Sequence, residues 1–367
     1  MKESNPTTRI SILSMQRVVN YGSVLQAYSL RELIQEIVDA SVTFLDIEEH
    51  PSLQSRRTVK NSVDYEVPAI YPPGIAQKVK RWTIARLSAW NKKLIHNFME
   101  TELKLSEKAK DDEFDCVVVG SDEVFNHKKG ICLQLHGQVK QAQKVITYAA
   151  SCGSALVDDV YPEDRETLRG IMSNFAAVSV RDQETLQYTS SFYDGTIERH
   201  LDPVLVGNLH QREHKPVRLK KYLLVYAYGQ RIRSAEEIKM IQAFAKARGL
   251  KTVAMGGSQF WCDLYIPASP FRMLDYFWYA DYVVTDTFHG TIFSVINRKK
   301  FAVLVRKTNH NKLTSLLQDL GLECRLVTDL NRMEYILSNE IDYTAVDAIL
   351  EHERIRARAY LLKQLEG

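Results

Sequence analysis

Short runs of consecutive apolar residues, each closed by a polar or glycine-bearing turn, recur along this chain. Arg9 to Ser14 reads as a strand, followed by a loop containing Asn20-Tyr21-Gly22-Ser23. Leu25, Tyr28, Leu33 and Ile37 then recur at helical spacing, predicting a helix from about Val24 to Val38. Val42 to Ile47 is the next strand, so the chain opens β-α-β. Three continuous apolar runs follow: Cys116 to Val119 ending at Gly120-Ser121-Asp122, Lys144 to Ala149 ending at Ala150-Ser151, and Ala176 to Val180 ending at Arg181-Asp182. Such runs fit strands buried on both faces of a parallel sheet. Leu201 to Val206 is expected to be the last strand of this unit.

A second unit of the same kind starts at Tyr222 to Tyr228. It continues through a helix from Ala235 to Arg248, stopped by Gly249, and a strand from Lys251 to Met255. Asp281 to Thr285 is a strand, Thr291 to Asn297 a helix and Phe301 to Val305 a strand. In the final helix, about Thr344 to Leu365, one face carries Val346, Ile349, Leu350, Ala357, Tyr360 and Leu361, and it is expected to pack across both units. The predicted fold class is α/β, two facing Rossmann-like domains. The expected boundaries are an N-terminal domain at 1–207 with a basic insertion at about 51–100, a linker at 208–220, a C-terminal domain at 221–343 and a crossing helix at 344–367. In open α/β sheets ligands bind beyond the carboxyl ends of the strands, which is where the polar turns fall.

Length agrees with two domains, since 367 residues exceed one ordinary core. A net charge of +3 is too small for a dedicated nucleic-acid binder, so no nucleic-acid partner is expected. Five cysteines, widely spaced and without a C-x-x-C pair, predict neither a disulfide framework nor a zinc site. The polar Met1 to Arg9 lacks the apolar stretch of a signal peptide, and a cytoplasmic location is expected. No glycine-rich dinucleotide or P-loop fingerprint is present.

The strongest local feature is Asp286-Thr287-Phe288-His289-Gly290-Thr291. Thr287 or Asp286 can cap the helix that follows, Gly290 allows close backbone approach, and the helix start favours an anion. His289 in that setting either donates to the anion or satisfies a buried carbonyl. Arg181, at a strand end, either clamps a phosphate or carboxylate or pairs with Asp182 or Glu184. Ser121 and Asp122 supply a hydroxyl and a carboxylate suited to an acceptor hydroxyl, with a helix cap as the alternative for Asp122. From Val67 to Met99 there is no acidic residue, but Lys78, Lys80, Arg81, Arg86, Lys92 and Lys93 interleave with Trp82 and Trp90. That pattern fits either contact with anionic lipid headgroups or a pyrophosphate-linked carrier at the membrane face, or a solvated basic helix.

Asn20 to Tyr28, Gly120 to Asn126, Tyr148 to Ser151, Val178 to Arg181 and Thr285 to Thr291 together resemble the polysaccharide pyruvyl transferase family. The resemblance implies an architecture like that of GT-B glycosyltransferases. It also implies phosphoenolpyruvate as donor substrate, with no further cofactor and no metal. The implied acceptor is a sugar of a capsular or other surface polysaccharide, free or polyprenyl-pyrophosphate-linked, which receives a pyruvate ketal. It assigns Arg181, Thr287, His289, Gly290 and Thr291 to the donor, and Asn20, Tyr21, Gly22, Ser23, Ser121 and Asn126 to the acceptor side. His289 and Asp122 become the expected catalytic pair. Thr287-Phe288 stands where better-understood members have Arg-Leu, and Glu123 and Phe125 replace an expected glutamine and tryptophan. A nucleotide-sugar glycosyltransferase and a non-catalytic glycan-binding protein remain as alternatives.

Overall fold

The structure, a computed structural model, describes residues 8–47, 53–56, 75–106, 113–127, 129–306 and 309–366. The first unit carries strands β1 (Thr8–Leu13), β2 (Ala40–Phe44), β3 (Phe114–Asp122), β4 (Ala142–Ala150), β5 (Phe175–Val180) and β6 (Ile197–Arg199). Its helices are α1 (Tyr21–Ile37), α2 (Ile75–Thr101), α3 (Arg165–Met172), α4 (Gln183–Ser190) and α5 (Pro203–Val206). The second carries β7 (Tyr222–Ala227), β8 (Lys251–Gly256), β9 (Leu264–Tyr265), β10 (Tyr282–Thr285), β11 (Lys300–Leu304) and β12 (Leu326–Val327). Helices α6 (Ala235–Ala247), α7 (Pro270–Tyr279), α8 (Phe288–Ile296), α9 (His310–Asp319), α10 (Met333–Ser338) and α11 (Tyr343–Leu365) complete it.

Both sheets are parallel throughout, in the orders β2-β1-β3-β4-β5-β6 and β12-β11-β10-β7-β8-β9. Strand order reverses between β1 and β3 in the first sheet and between β7 and β10 in the second. At such switch points the chain leaves adjacent strands in opposite directions and opens a crevice. All six residues of β7 are buried, as expected of a strand covered on both faces.

Three expected boundaries need correction. Helix α1 begins at Tyr21, because the Asn20 side chain accepts the Gly22 amide at 2.7 Å and caps the helix there. Helix α8 begins at Phe288, which puts His289 in its first turn. The expected strand at Leu201 to Val206 is helix α5 instead, with Asp202 as its cap and Pro203 as its first residue. An aspartate followed by proline fixes a helix start more strongly than four apolar residues fix a strand.

Two helices strap the units together. Helix α2 buries Ile84 in the second unit's core and Ile95, Phe98 and Met99 in the cluster around α1. It is therefore a bridge between the units, although residues 51–52 and 57–74 of the expected insertion lie outside the described residues. Helix α11 runs from the second unit, where the Tyr343 hydroxyl donates to the Lys299 carbonyl at 2.7 Å, to the first, where Tyr360 donates to the Thr147 carbonyl at 2.9 Å. One buried apolar cluster contains Ile10 and Ile12 of β1 together with Tyr222 and Leu224 of β7, so the core is continuous across the units.

Two core histidines carry a pH consequence. Burial holds both His136 and His200 down to about 4 from an ordinary 6.5; the Cys132 carbonyl opposes the shift at His136, while Arg356 adds to it at His200. The folded chain thus binds fewer protons than the unfolded one, and the stability these groups contribute is complete above pH 6.5 and lost as pH falls toward 4. The urea midpoint should fall across that window, each histidine adding up to about 1.4 kcal/mol per pH unit to the slope. A pH slope left unchanged by both His136→Gln and His200→Gln would exclude them as its source.

Candidate functional site

The loops that leave the two switch points meet between the units. From the first come Asn20 and Tyr21 after β1 and Ser121-Asp122 at the end of β3; from the second come Tyr228 and Gly229 after β7 and Thr287 and His289 after β10. Between them lies a cavity of about 250 Å³, lined by Asn20, Tyr21, Tyr228, Gly229, Thr287 and His289 and by Ser88, Asn91, Lys92 and Ile95 of α2, whereas Ser121 and Asp122 stand outside its lining.

The turn around His289 is built from its own hydroxyls. Thr287 is the cap of α8: its Oγ1 accepts the Gly290 amide at 3.0 Å, and its carbonyl accepts the Thr291 hydroxyl at 3.1 Å. Asp286 does not share that role, because Arg231 and Arg306 hold its Oδ2 through their Nε atoms at 3.1 and 3.3 Å. Gly290 is required by space, since a Cβ there would lie 2.1 Å from Thr285 Oγ1. The imidazole of His289 fits only because position 22 is glycine: a Cβ on Gly22 would lie 2.1 Å from Nδ1 and 2.3 Å from Cγ.

The residue that organises the site is Asp202, which sequence reasoning placed in a strand and assigned no role. Its side chain is fully buried, with Oδ2 3.0 Å from Arg181 Nη1 and 3.4 Å from His289 Nε2. Oδ1 accepts the Val204 amide at 3.1 Å. Burial disfavours the ionised carboxyl, but His289, Arg181 and that amide outweigh it and hold Asp202 below the usual carboxylate range. Asp202-Pro203, a cap followed by the first helical residue, was the signal available for it.

Arg181 stands one layer back from the cavity. It is 4% exposed, and its guanidinium lies 4.1 Å from the Phe288 ring centroid, stacked under the residue that precedes His289. Burial opposes its charge, and Asp202, Asp122, Asp182 and Glu123 together overcome burial and raise its affinity for the proton. Behind it, Ser151 donates to Asp182 at 2.7 Å, which is what the Tyr148-to-Ser151 motif contributes.

On the first unit's side, Asp122 sits at a positive φ of 74°, its Oδ2 accepting the Ser23 hydroxyl at 2.7 Å. Ser121 donates to the Ala149 carbonyl at 3.1 Å and lies 3.5 Å from Asp202 Oδ2. Gln26 donates to Ser14 Oγ, which donates to the Ser121 carbonyl at 2.9 Å, so helix α1 fixes the end of β3. Tyr21 lines the cavity, and its hydroxyl reaches Asn91 Oδ1 and the Ala268 carbonyl. Asn126 donates to Glu123, farther along the same loop and outside the cavity lining. Ser23 is thus joined to Asp122, and His289 to Asp202 and Gly22, while Ser23 and Asp122 do not line the cavity that His289 lines. No group of three or more His, Cys, Asp or Glu is placed to hold a metal ion among the described residues.

A family model described as polysaccharide pyruvyl transferase matches residues 20–308. No curated protein matches the chain. Among solved structures, it is similar to Arabidopsis thaliana UGT89C1 complexed with quercetin, at 12% identity and TM-score 0.48, covering 98% of this chain and 99% of that one. It is also similar to the S. aureus MnaA-UDP co-structure, at 11% identity, TM-score 0.48 and 97% coverage of each chain. A third is Medicago truncatula UGT71G1 complexed with UDP-glucose, at 10% identity, TM-score 0.48 and 100% coverage of each. The ligands bound in those structures belong to those proteins.

The packing of His289 on Gly22 makes a direct prediction. Gly22→Ala should lower stability by about 1–3 kcal/mol through overpacking, measured by urea unfolding. A variant as stable as the parent, with unaltered ligand binding, would mean that the ring does not depend on the missing methyl.

Proposed function

The chain belongs to the polysaccharide pyruvyl transferase family, and on that premise we propose that it moves the enolpyruvyl group of phosphoenolpyruvate onto a sugar of a surface polysaccharide or its lipid-linked precursor, forming a pyruvate ketal. The observation that carries this reading is His289 on the wall of the interdomain cavity with the Asp202 carboxylate 3.4 Å behind its Nε2. A carboxylate in that position orients the ring for acid catalysis.

In the proposed reaction His289 binds the donor and delivers a proton to its methylene carbon, leaving an oxocarbenium-like centre at the carbon that bears the phosphate. A sugar hydroxyl attacks that centre, with Asp122 taking its proton. A second hydroxyl then attacks, its carbon–oxygen bond forming as the carbon–oxygen bond to phosphate breaks, and its proton leaves with the phosphate. Thr287 lines the donor side, and Gly290 and Thr291 hold the turn. Asn20, Tyr21, Gly22, Ser23, Ser121 and Asn126 form or support the acceptor side. Arg181 serves the donor at one remove, as the positioning residue that holds Asp202. No cofactor or metal enters these steps.

Phosphate should be released from phosphoenolpyruvate only with a suitable glycan present, and the product should show a new ketal methyl signal in its proton NMR spectrum. His289→Ala should slow that release about 10²–10⁴-fold. Full activity in His289→Ala, or saturable nucleotide-sugar binding with no response to phosphoenolpyruvate, would replace this reading.

The outer face of α2 supports a peripheral site of action at the cytoplasmic membrane face. Lys78, Val79, Trp82, Arg86, Trp90 and Lys93 are exposed and fall along one side of the helix, with Trp82 61% and Trp90 53% exposed. Cations interleaved with interfacial tryptophans fit an anionic lipid surface that carries the acceptor. No helix is long and apolar enough to cross a membrane among the described residues. Vesicle binding should require anionic lipid, weaken with added salt and fall in the double variant Trp82→Ser, Trp90→Ser; salt-insensitive or absent binding would leave the stripe as solvated surface.

A further inference from the structure

The cavity that presents His289 has an unbalanced charge. None of the residues lining it is aspartate or glutamate, and its one lysine is Lys92 of α2. The arginines around it are already committed: Arg181 to Asp202, and Arg231 and Arg306 to Asp286, with Arg306 also held by Glu237 at 2.6 Å. Thr287, beside His289, spends its hydroxyl and carbonyl on its own helix. Lys92 differs from all of these. It has no ion-pair partner among the described residues, whereas Lys80 on the same helix donates to the Cys262 carbonyl and Lys312 pairs with Glu123.

The backbone beneath Lys92 is fixed. The preceding residue, Asn91, is buried and accepts the Ala268 amide at 3.0 Å and the Tyr21 hydroxyl, so it joins α2 to both units. An ammonium on a flexible stem is a compact point charge suited to a phosphate, and an uncompensated cation in a concave, acid-free wall concentrates anions there.

We propose that Lys92 is the cation with which the cavity, which His289 also lines, holds the phosphate of its ligand. The identification of that ligand as phosphoenolpyruvate rests on the function proposed above; the anion site itself does not. The test is calorimetric titration of the full chain with inorganic phosphate and, separately, with phosphoenolpyruvate, using Lys92→Met, Lys92→Arg and, as a control on the exposed surface of α6, Lys239→Met. Circular dichroism checks that each variant is folded. Lys92→Met should bind both ligands at least tenfold more weakly, Lys92→Arg should recover most of the loss, and Lys239→Met should match the parent. Phosphate binding by Lys92→Met at parental affinity would overturn the proposal, as would failure of the parent to bind phosphate. Phosphate binding that depends on Lys92, without phosphoenolpyruvate binding, would uphold the anion site and sink the proposed donor.

Discussion

A carboxylate buried between a guanidinium and an imidazole holds this site together. Asp202 is removed from water, which costs several kcal/mol for an isolated ion, and its ionised form is tolerable only with Arg181 and His289 in place. The three groups come from different places: Arg181 from the end of β5, Asp202 from the cap of α5, His289 from the first turn of α8. Phe288 lies on the Arg181 guanidinium, so the contact that fixes the charge also fixes the neighbour of the histidine. The remaining polar groups follow from this triad, with Ser121 approaching Asp202 and Asp122 adding its charge to the field at Arg181.

The two parallel sheets could be read from the chain because strands buried on both faces leave continuous apolar runs, as β3, β5 and β7 do. Residues at the strand ends could be named for the same reason: Asp122, Arg181 and His289 fall within four residues of the end of such a run. Asp202 was hidden because Leu201 to Val206 also reads as an apolar run, and only the Asp-Pro start distinguishes a one-turn helix. The depth of Arg181 was equally out of reach, since a strand end does not reveal whether a guanidinium meets solvent or a carboxylate. Gly22 was noticed as part of a motif, but its role depends on a side chain more than two hundred and sixty positions away in the chain.

Helix α2 illustrates a different limit. Its basic and aromatic composition is plain in sequence, yet composition does not separate the residues that face inward from those that face out. In the fold, Ile84 and Ile95 are core, Asn91 and Lys92 line the cavity, and Trp82 and Trp90 face solvent. One helix therefore connects the surface to the candidate site, and its period of 3.6 residues distributes those tasks around its circumference.

The vacancy at Gly22 bears on how such a protein can be altered. His289 belongs to the second unit, but the space it occupies and the carboxylate behind it belong to the first. Neither half is a transferable cassette: grafting the second unit onto the first unit of a relative would strand the histidine unless the glycine and Asp202 travelled with it. Recombination that aims to exchange donor or acceptor preference should therefore cut around this three-residue contact and not at the linker.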